Sequence, residues 1–332
     1  MVRGFEDVWR PPVRQRIVRT RAILAAGSSI SPIRDRLARI ARRTPEVMVK
    51  VTGRTRDAAH LRAHLDYIAR NGQLEAEGRD GVALVGRDEV RDVGDVWAWS
   101  ALADRRRRAN APLGLSLILS MPAGTDAIRL RDAARAFAQD AFADRHDYLL
   151  VLHTDTPHPH VHVTVCARGD QGQRLNPKKA DLEAWRQMFA QALRDRGVEA
   201  EATPRRARGV TLKAERGAVR QMRERHAAGG GGASRVAKGA LTEAVRLAAS
   251  GRVELTAWEQ RLVSRQAAVR ALYRAQVDLL AASPDARDRE LAQALRAFVG
   301  RMPAPVSRRL ALARELRAKA QRPPAPSRGR ER

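Results

Sequence analysis

Cysteine is nearly absent: Cys166 is the single one in 332 residues. No disulfide can form within the chain, which fits a reducing cytoplasm. Aromatic residues make up 4%, and only three of them are tyrosines, Tyr67, Tyr148 and Tyr273. Any reaction that needs a phenol therefore has three candidates. No apolar run approaches the roughly 18 residues of a membrane-spanning helix, so no membrane insertion is expected. The opening residues, MVRGFEDVWR, lack the apolar core of a secretory leader. No GxxxxGK[ST] string occurs, which argues against phosphate chemistry on a nucleotide-binding loop. Acidic residues are also short, 37 against 63 Lys and Arg.

That last deficit leaves a net charge of +26. A polyanion is the natural partner of such a chain, because each neutralised phosphate releases condensed counterions. Nucleic acid is favoured over an anionic membrane surface. At 44% hydrophobic residues the chain still has enough apolar side chains for a core.

Residues 1–45 read as a basic arm with one helix around 31–42. A compact α+β stretch occupies 46–210. Its strands are expected at 46–52, 81–86, 113–121, 148–153 and 161–167, with helices at 57–70, 89–108, from about 125, and at 178–196. The strands ending at His153 and beginning at Val161 are joined by a connection too short for a parallel crossover. The sheet should therefore be antiparallel. Residues 211–237 read as a Gly-rich linker, 238–320 as a helical region rich in Ala, Leu and Arg, and 321–332 as a disordered basic tail.

Four of the eight histidines crowd into His153-Thr-Asp-Thr-Pro-His158-Pro-His160-Val-His162. His160 and His162 are two apart on a strand and share a face. The hairpin brings His153 beside them. Three imidazoles can converge on one divalent cation and leave positions open for a substrate oxygen. His158, in the loop, is a possible further ligand. Asp155 is placed to accept the second ring N–H of a ligand histidine. On the helix at 57–70, Leu61, Leu65 and Ile68 form the apolar face, while His60, His64, Tyr67 and Asn71 share a neighbouring flank.

These residues resemble the relaxases, the nucleases of conjugation and mobilisation. His153-x-Asp155-x-x-x-x-His160-x-His162 is similar to their three-histidine signature, and His158-Pro-His160 resembles the VirD2-like branch. Tyr67-Ile-Ala-Arg-Asn-Gly72 resembles that branch's nucleophile motif, and Ser120-Met-Pro-Ala-Gly-Thr125 its middle motif. The resemblance spans roughly residues 46–210. It implies an HUH-type nuclease fold, a five-stranded antiparallel sheet flanked by helices with the metal on the central hairpin. It also implies attack by Tyr67 on one phosphodiester at an origin of transfer, a 5′-phosphotyrosyl intermediate, and resealing by the reverse reaction. Ser120 would touch DNA near the cut and Asp155 would orient a ligand histidine. Mg²⁺ or Mn²⁺ is the family's usual cofactor, although three imidazoles suit Mn²⁺, Ni²⁺ or Zn²⁺ better. The implied partners are single-stranded DNA at the origin, relaxosome accessory proteins and a type IV secretion coupling protein. The implied location is the bacterial cytoplasm, with passage to a recipient cell alongside the strand. One position departs from the family: Cys166 stands where an asparagine is usual.

Other readings remain open at this level. His158-Pro-His160-Val-His162-Val also fits a histidine-triad nucleotide hydrolase, which leaves the charge and the Tyr67 segment unexplained. A non-catalytic accessory protein would not need Tyr67 beside three histidines. A rolling-circle replication initiator shares the chemistry and differs only in motif similarity.

Overall fold

The computed structural model describes residues 30–321 apart from 106, 213, 214, 216, 233 and 251–254. Most of the expected basic arm, residues 1–29, and the tail from 322 lie outside the described residues. The chain divides into two compact units after Thr203.

The first unit contains α1 (Ile30–Ala41), β1 (Met48–Thr55), α2 (Ala58–Ile68), β2 (Ala76–Gly78), β3 (Ala83–Leu84) and α3 (Arg87–Ala103). It continues with β4 (Gly114–Ser120), α4 (Ala127–Phe142), β5 (Tyr148–His153), β6 (His160–Cys166) and α5 (Lys179–Arg194). The six strands form one antiparallel sheet in the order β1-β4-β6-β5-β2-β3. Six strands replace the expected five, within the expected α+β class. The addition is β2, three residues of sequence Ala-Glu-Gly, too short and too polar for an alternating pattern to show. The hairpin β5–β6 lies inside the sheet, so its side chains have neighbours on both sides.

Alternation along the strands builds two cores. Leu115, Leu117, Leu119, Leu150, Val161, Val163 and Val165 face one way, against Phe137 and Phe142 of α4 and Trp185 and Phe189 of α5. Leu149, Val151 and Cys166 face the other way, against Leu61, Leu65 and Ile68 of α2 and Val90, Trp97 and Ala98 of α3. His153, His160 and His162 follow the period of this second set. The α2–α3 face is therefore where the three histidines sit. Cys166 packs in that second core, and burial pushes its thiol up to about 11.

Helix α1 is tied into the unit. Leu37, Ile40 and Ala41 are buried, and Arg39 reaches the buried carboxylate of Glu201 at 2.8 Å.

The second unit is helical. A 3-10 turn (Arg205–Arg208) precedes α6 (Gly217–Ala227), α7 (Arg235–Ala249), α8 (Ala257–Ala281), α9 (Ala286–Gly300) and α10 (Arg308–Ala320). Helix α6 lies within the stretch expected to be linker. Helices α8 and α9 form a hairpin, with Tyr273 edge-on to Phe298 at 5.6 Å. Ala244 and Leu247 of α7 pack with Leu310 and Ala313 of α10. Buried Glu259 caps α8 through Thr256 and accepts bonds from Arg309 and Ser307. Arg309 above all holds its carboxyl down to about 2. Among the described residues no helix is long and apolar enough to cross a membrane.

Candidate metal and nuclease site

In the β5–β6 ladder His153 stands opposite His160, and His162 follows two residues on. The three rings meet with centroids 5.1 Å (His153–His160), 4.6 Å (His153–His162) and 5.2 Å (His160–His162) apart. One nitrogen from each lies within 4.8 Å of the others. His158 is exposed and outside this cluster. Its carbonyl accepts from Thr156 Oγ1 (2.9 Å) and His160 Nδ1 (3.2 Å), so it shapes the loop through its backbone.

Two of the three rings, His153 and His162, are held toward the neutral form. Burial, followed by the neighbouring His153 and His160, pushes His162 down to about 3. Burial also lowers His153, against the opposing pull of the Ile68 carbonyl. Neutral imidazoles are the ligand form. The Nδ1 of His162 is buried without a hydrogen-bond partner, an uncompensated polar atom that a cation would satisfy. Three nitrogen donors with one such orphan fit a divalent transition metal better than Mg²⁺.

Helix α2 is capped at its start and tied to this cluster at its end. Asp57 caps its start by accepting from the His60 amide at 2.7 Å. At its end the Ile68 carbonyl accepts the Nε2–H of His153 at 2.7 Å. That carbonyl belongs to the last turn, where no intrahelical donor exists. The same bond fixes the tautomer of His153 and leaves Nδ1 as the nitrogen with a lone pair to offer a metal. Beyond Ile68 the chain turns back sharply, with Arg70, Asn71 and Gly72 at φ of +51°, +57° and +84°. A Cβ at Gly72 would sit 2.3 Å from the Arg87 amide nitrogen, so only glycine fits. Half-inside the same turn, Asp66 pairs with Arg91 (2.7 Å) and Arg87 (3.1 Å) of α3.

Tyr67 projects from this anchored end. It is 60% exposed, and its ring meets His162 edge-on at 6.5 Å. The guanidinium of Arg70 stands 5.5 Å from the centre of the same ring. Tyr148 and Tyr273 are both fully buried in cores and unavailable to a substrate.

Two sequence-derived roles look different in the fold. Asp155 pairs with Arg70 and stays 3.9 Å from His153 Nδ1; the ring N–H it was expected to accept goes to Ile68. Ser120, opposite His160 in the ladder, is buried, and its hydroxyl donates to the carbonyls of Pro159 (3.2 Å) and Met121 (3.3 Å). In that position it holds the loop leading into His160. We expect Asp155→Asn to leave Mn²⁺ affinity within about threefold, read by calorimetric titration. A loss of about 10- to 100-fold, usual for the partner of a ligand histidine, would return that role to Asp155.

Of the two helix histidines, His64 reaches the sheet. Its Nε2 lies 2.8 Å from Ser116 Oγ and 3.0 Å from Thr164 Oγ1, and burial lowers its pKa. Sequence reasoning did not single out Ser116, Thr164, Arg70 or Asp66. A usable signal existed: Ser116 and Ser120 on β4, and His162 and Thr164 on β6, are polar at two- or four-residue spacing within apolar strands.

Depressed histidines make stability depend on pH. In the unfolded chain they titrate near 6.5, whereas folded His162 titrates near 3. Above about pH 6.5 both states are neutral and the stability is complete. Below it the unfolded state binds the extra proton, and each such histidine costs about 1.4 kcal/mol per pH unit until its folded pKa is passed. The metal-free protein should thus lose urea resistance between about pH 7 and pH 5, and His162→Gln should lose less. Equal slopes for the two proteins would contradict the burial argument.

Residues 67–198 match the family described as "Relaxase: MobA/VirD2-like, nuclease domain". T-DNA border endonuclease VirD2 of Rhizobium radiobacter is 28% identical over 186 residues, 50% of this chain and 43% of that protein. Its counterpart in Agrobacterium fabrum is 26% identical over 187 residues, 50% of this chain and 41% of that one. The chain thus spans less than half the length of these relatives. A solved chain described under "Molecular Basis of Vancomycin Resistance Transfer in Staphylococcus aureus" is 14% identical, covering 48% of this chain and 98% of its own, at a TM-score of 0.32, too loose a likeness to carry weight. Residues 67–198 are thus similar to a MobA/VirD2-like relaxase nuclease domain, and the VirD2 relatives match about half of the chain.

Proposed function

We propose that this protein nicks and rejoins one DNA strand at an origin of transfer, with Tyr67 as nucleophile. The observation that carries the proposal is the exposed Tyr67 ring edge-on to His162, at the rim of the three-histidine cluster. The phenolic oxygen attacks phosphorus, the bond to the 3′ oxygen breaks, and that oxygen leaves as a hydroxyl after taking up a proton. One phosphodiester is exchanged for another, so resealing by the free 3′-hydroxyl needs no external energy source. A phenol with a pKa near 10 is a weak nucleophile at neutral pH, so the reaction needs electrostatic help. A divalent cation held by His153, His160 and His162 would polarise the scissile phosphate and offset charge developing on its oxygens.

The protein's own groups do the positioning. The Ile68–His153 bond ties the nucleophile's helix to the cluster. Arg70, beside the phenol and paired with Asp155, presents a planar cation where the phosphate arrives. Exposure of Tyr67 leaves room for a polymer to approach. The similarity to MobA/VirD2-like relaxases supports the origin of transfer as target, with accessory proteins and a secretion coupling protein as partners in the cytoplasm.

A strand-exchange assay tests this. Two single-stranded oligonucleotides carrying the origin of the protein's own mobile element, of different lengths and with one labelled, are incubated with protein and Mn²⁺. Hybrid-length labelled products that vanish with EDTA are expected. Hydrolysed fragments without hybrids would overturn the transesterification.

A further inference from the structure

The excess charge is unevenly shared between the two units. Residues 204–332 hold 29 Lys and Arg against 11 Asp and Glu, so +18 of the +26 falls in the C-terminal part. Several of its acidic groups are turned inward. Glu259 and Asp288 are buried, and Glu215 bridges Arg223 and Arg308.

Helix α6 is the extreme case. From Arg220 to Ala227 every side chain is exposed, including Arg220, Arg223, Arg225 and Met222. A helix of 11 residues without an apolar face on a core is only marginally stable in water. Its arginines are held by thin support: Arg220 lies 3.5 Å from Glu224 and Arg223 2.9 Å from Glu215, both cations more than half exposed. Such exposed pairs contribute little and are readily exchanged for phosphate.

We propose that the C-terminal unit carries a second DNA-binding surface centred on α6, which grips the phosphate backbone of duplex DNA without reading sequence. An α-helix fits the major groove of a duplex, and arginine forks match phosphate oxygens. Single-strand binders instead present aromatic stacking platforms; α6 has no aromatic residue, Tyr273 and Phe298 are buried, and half-exposed Trp258 lies on α8 rather than on α6. Backbone binding requires neither Tyr67 nor a metal, so this surface stands apart from the strand-transfer reading.

The test uses the full chain in EDTA, so that cleavage plays no part. Binding to a random-sequence duplex is measured by fluorescence anisotropy across a salt series for wild type and for Arg220→Gln/Arg223→Gln/Arg225→Gln. Affinity should fall about tenfold or more in the triple variant. The slope of log affinity against log salt should shrink by about 2 to 3, near 0.9 for each phosphate no longer neutralised. Strand exchange by the variant with Mn²⁺ on single-stranded oligonucleotides should match wild type. An unchanged slope would overturn the proposal, as would equal losses on single-stranded DNA or polyglutamate binding as tight as the duplex. Failure of strand exchange in both proteins, with the slope difference intact, would count against the nuclease reading alone.

Discussion

Tyr67→Phe is expected to fold, bind divalent metal and bind DNA as the wild type does, and to form no covalent adduct with an origin oligonucleotide. The substitution removes one oxygen from a side chain that is 60% exposed, so stability should change by less than about 0.5 kcal/mol. The edge-on approach to His162 and the stacking with Arg70 survive in phenylalanine. Only the nucleophile is lost, and strand exchange should drop by more than about 10⁴-fold. Tyr148 and Tyr273 offer no rescue, since both are buried. Exchange above about a hundredth of wild type in Tyr67→Phe would assign the attack to another group.

The second large effect concerns the cluster itself. His162→Ala should cost more than about 100-fold in Mn²⁺ affinity, beyond the range seen when only a ligand's partner is removed. Strand exchange should fall in parallel and recover partly at high Mn²⁺. Stability of the metal-free protein should change little, because His162 leaves its Nδ1 unpaired in the fold and its removal relieves that cost as it opens a small cavity. A strongly destabilised variant with unchanged metal affinity would mean that His162 serves packing rather than a metal.

The legible parts of the structure were those governed by periodicity. The apolar run Tyr148–His153 and the alternation in His160–Cys166 placed both strands and the shared face of His160 and His162. The spacing of Leu61, Leu65 and Ile68 set which side of α2 turns inward, and hence which side carries Tyr67. Long-range partners stayed hidden. Nothing local says that His153 will find the carbonyl of Ile68, 85 residues earlier, rather than Asp155 two residues away. The ring's reach across the hairpin to a helix end decides it. Asp155, though close in sequence, is carried outward by its loop to Arg70. Ser120, to which the motif gave a contact with DNA near the cut, stands opposite His160, and its burial was not visible in the strand pattern. Helix α6 fell inside the stretch read as linker because of the glycine run at 229–232, and its exposed surface offers no apolar stripe to signal a helix.

Peptide mapping of the covalent adduct tests the pairing of Tyr67 with the three-histidine cluster most directly. The protein is trapped with Mn²⁺ on a suicide oligonucleotide labelled at its 3′ end, the side that stays attached through the new 5′ linkage. The adduct is digested and the nucleotide-bearing peptide sequenced by mass spectrometry. A phosphotyrosyl linkage at Tyr67, formed with Mn²⁺ and absent in EDTA, is the expected result. A linkage at a histidine of the cluster, at another tyrosine, or at Tyr67 irrespective of metal would contradict it.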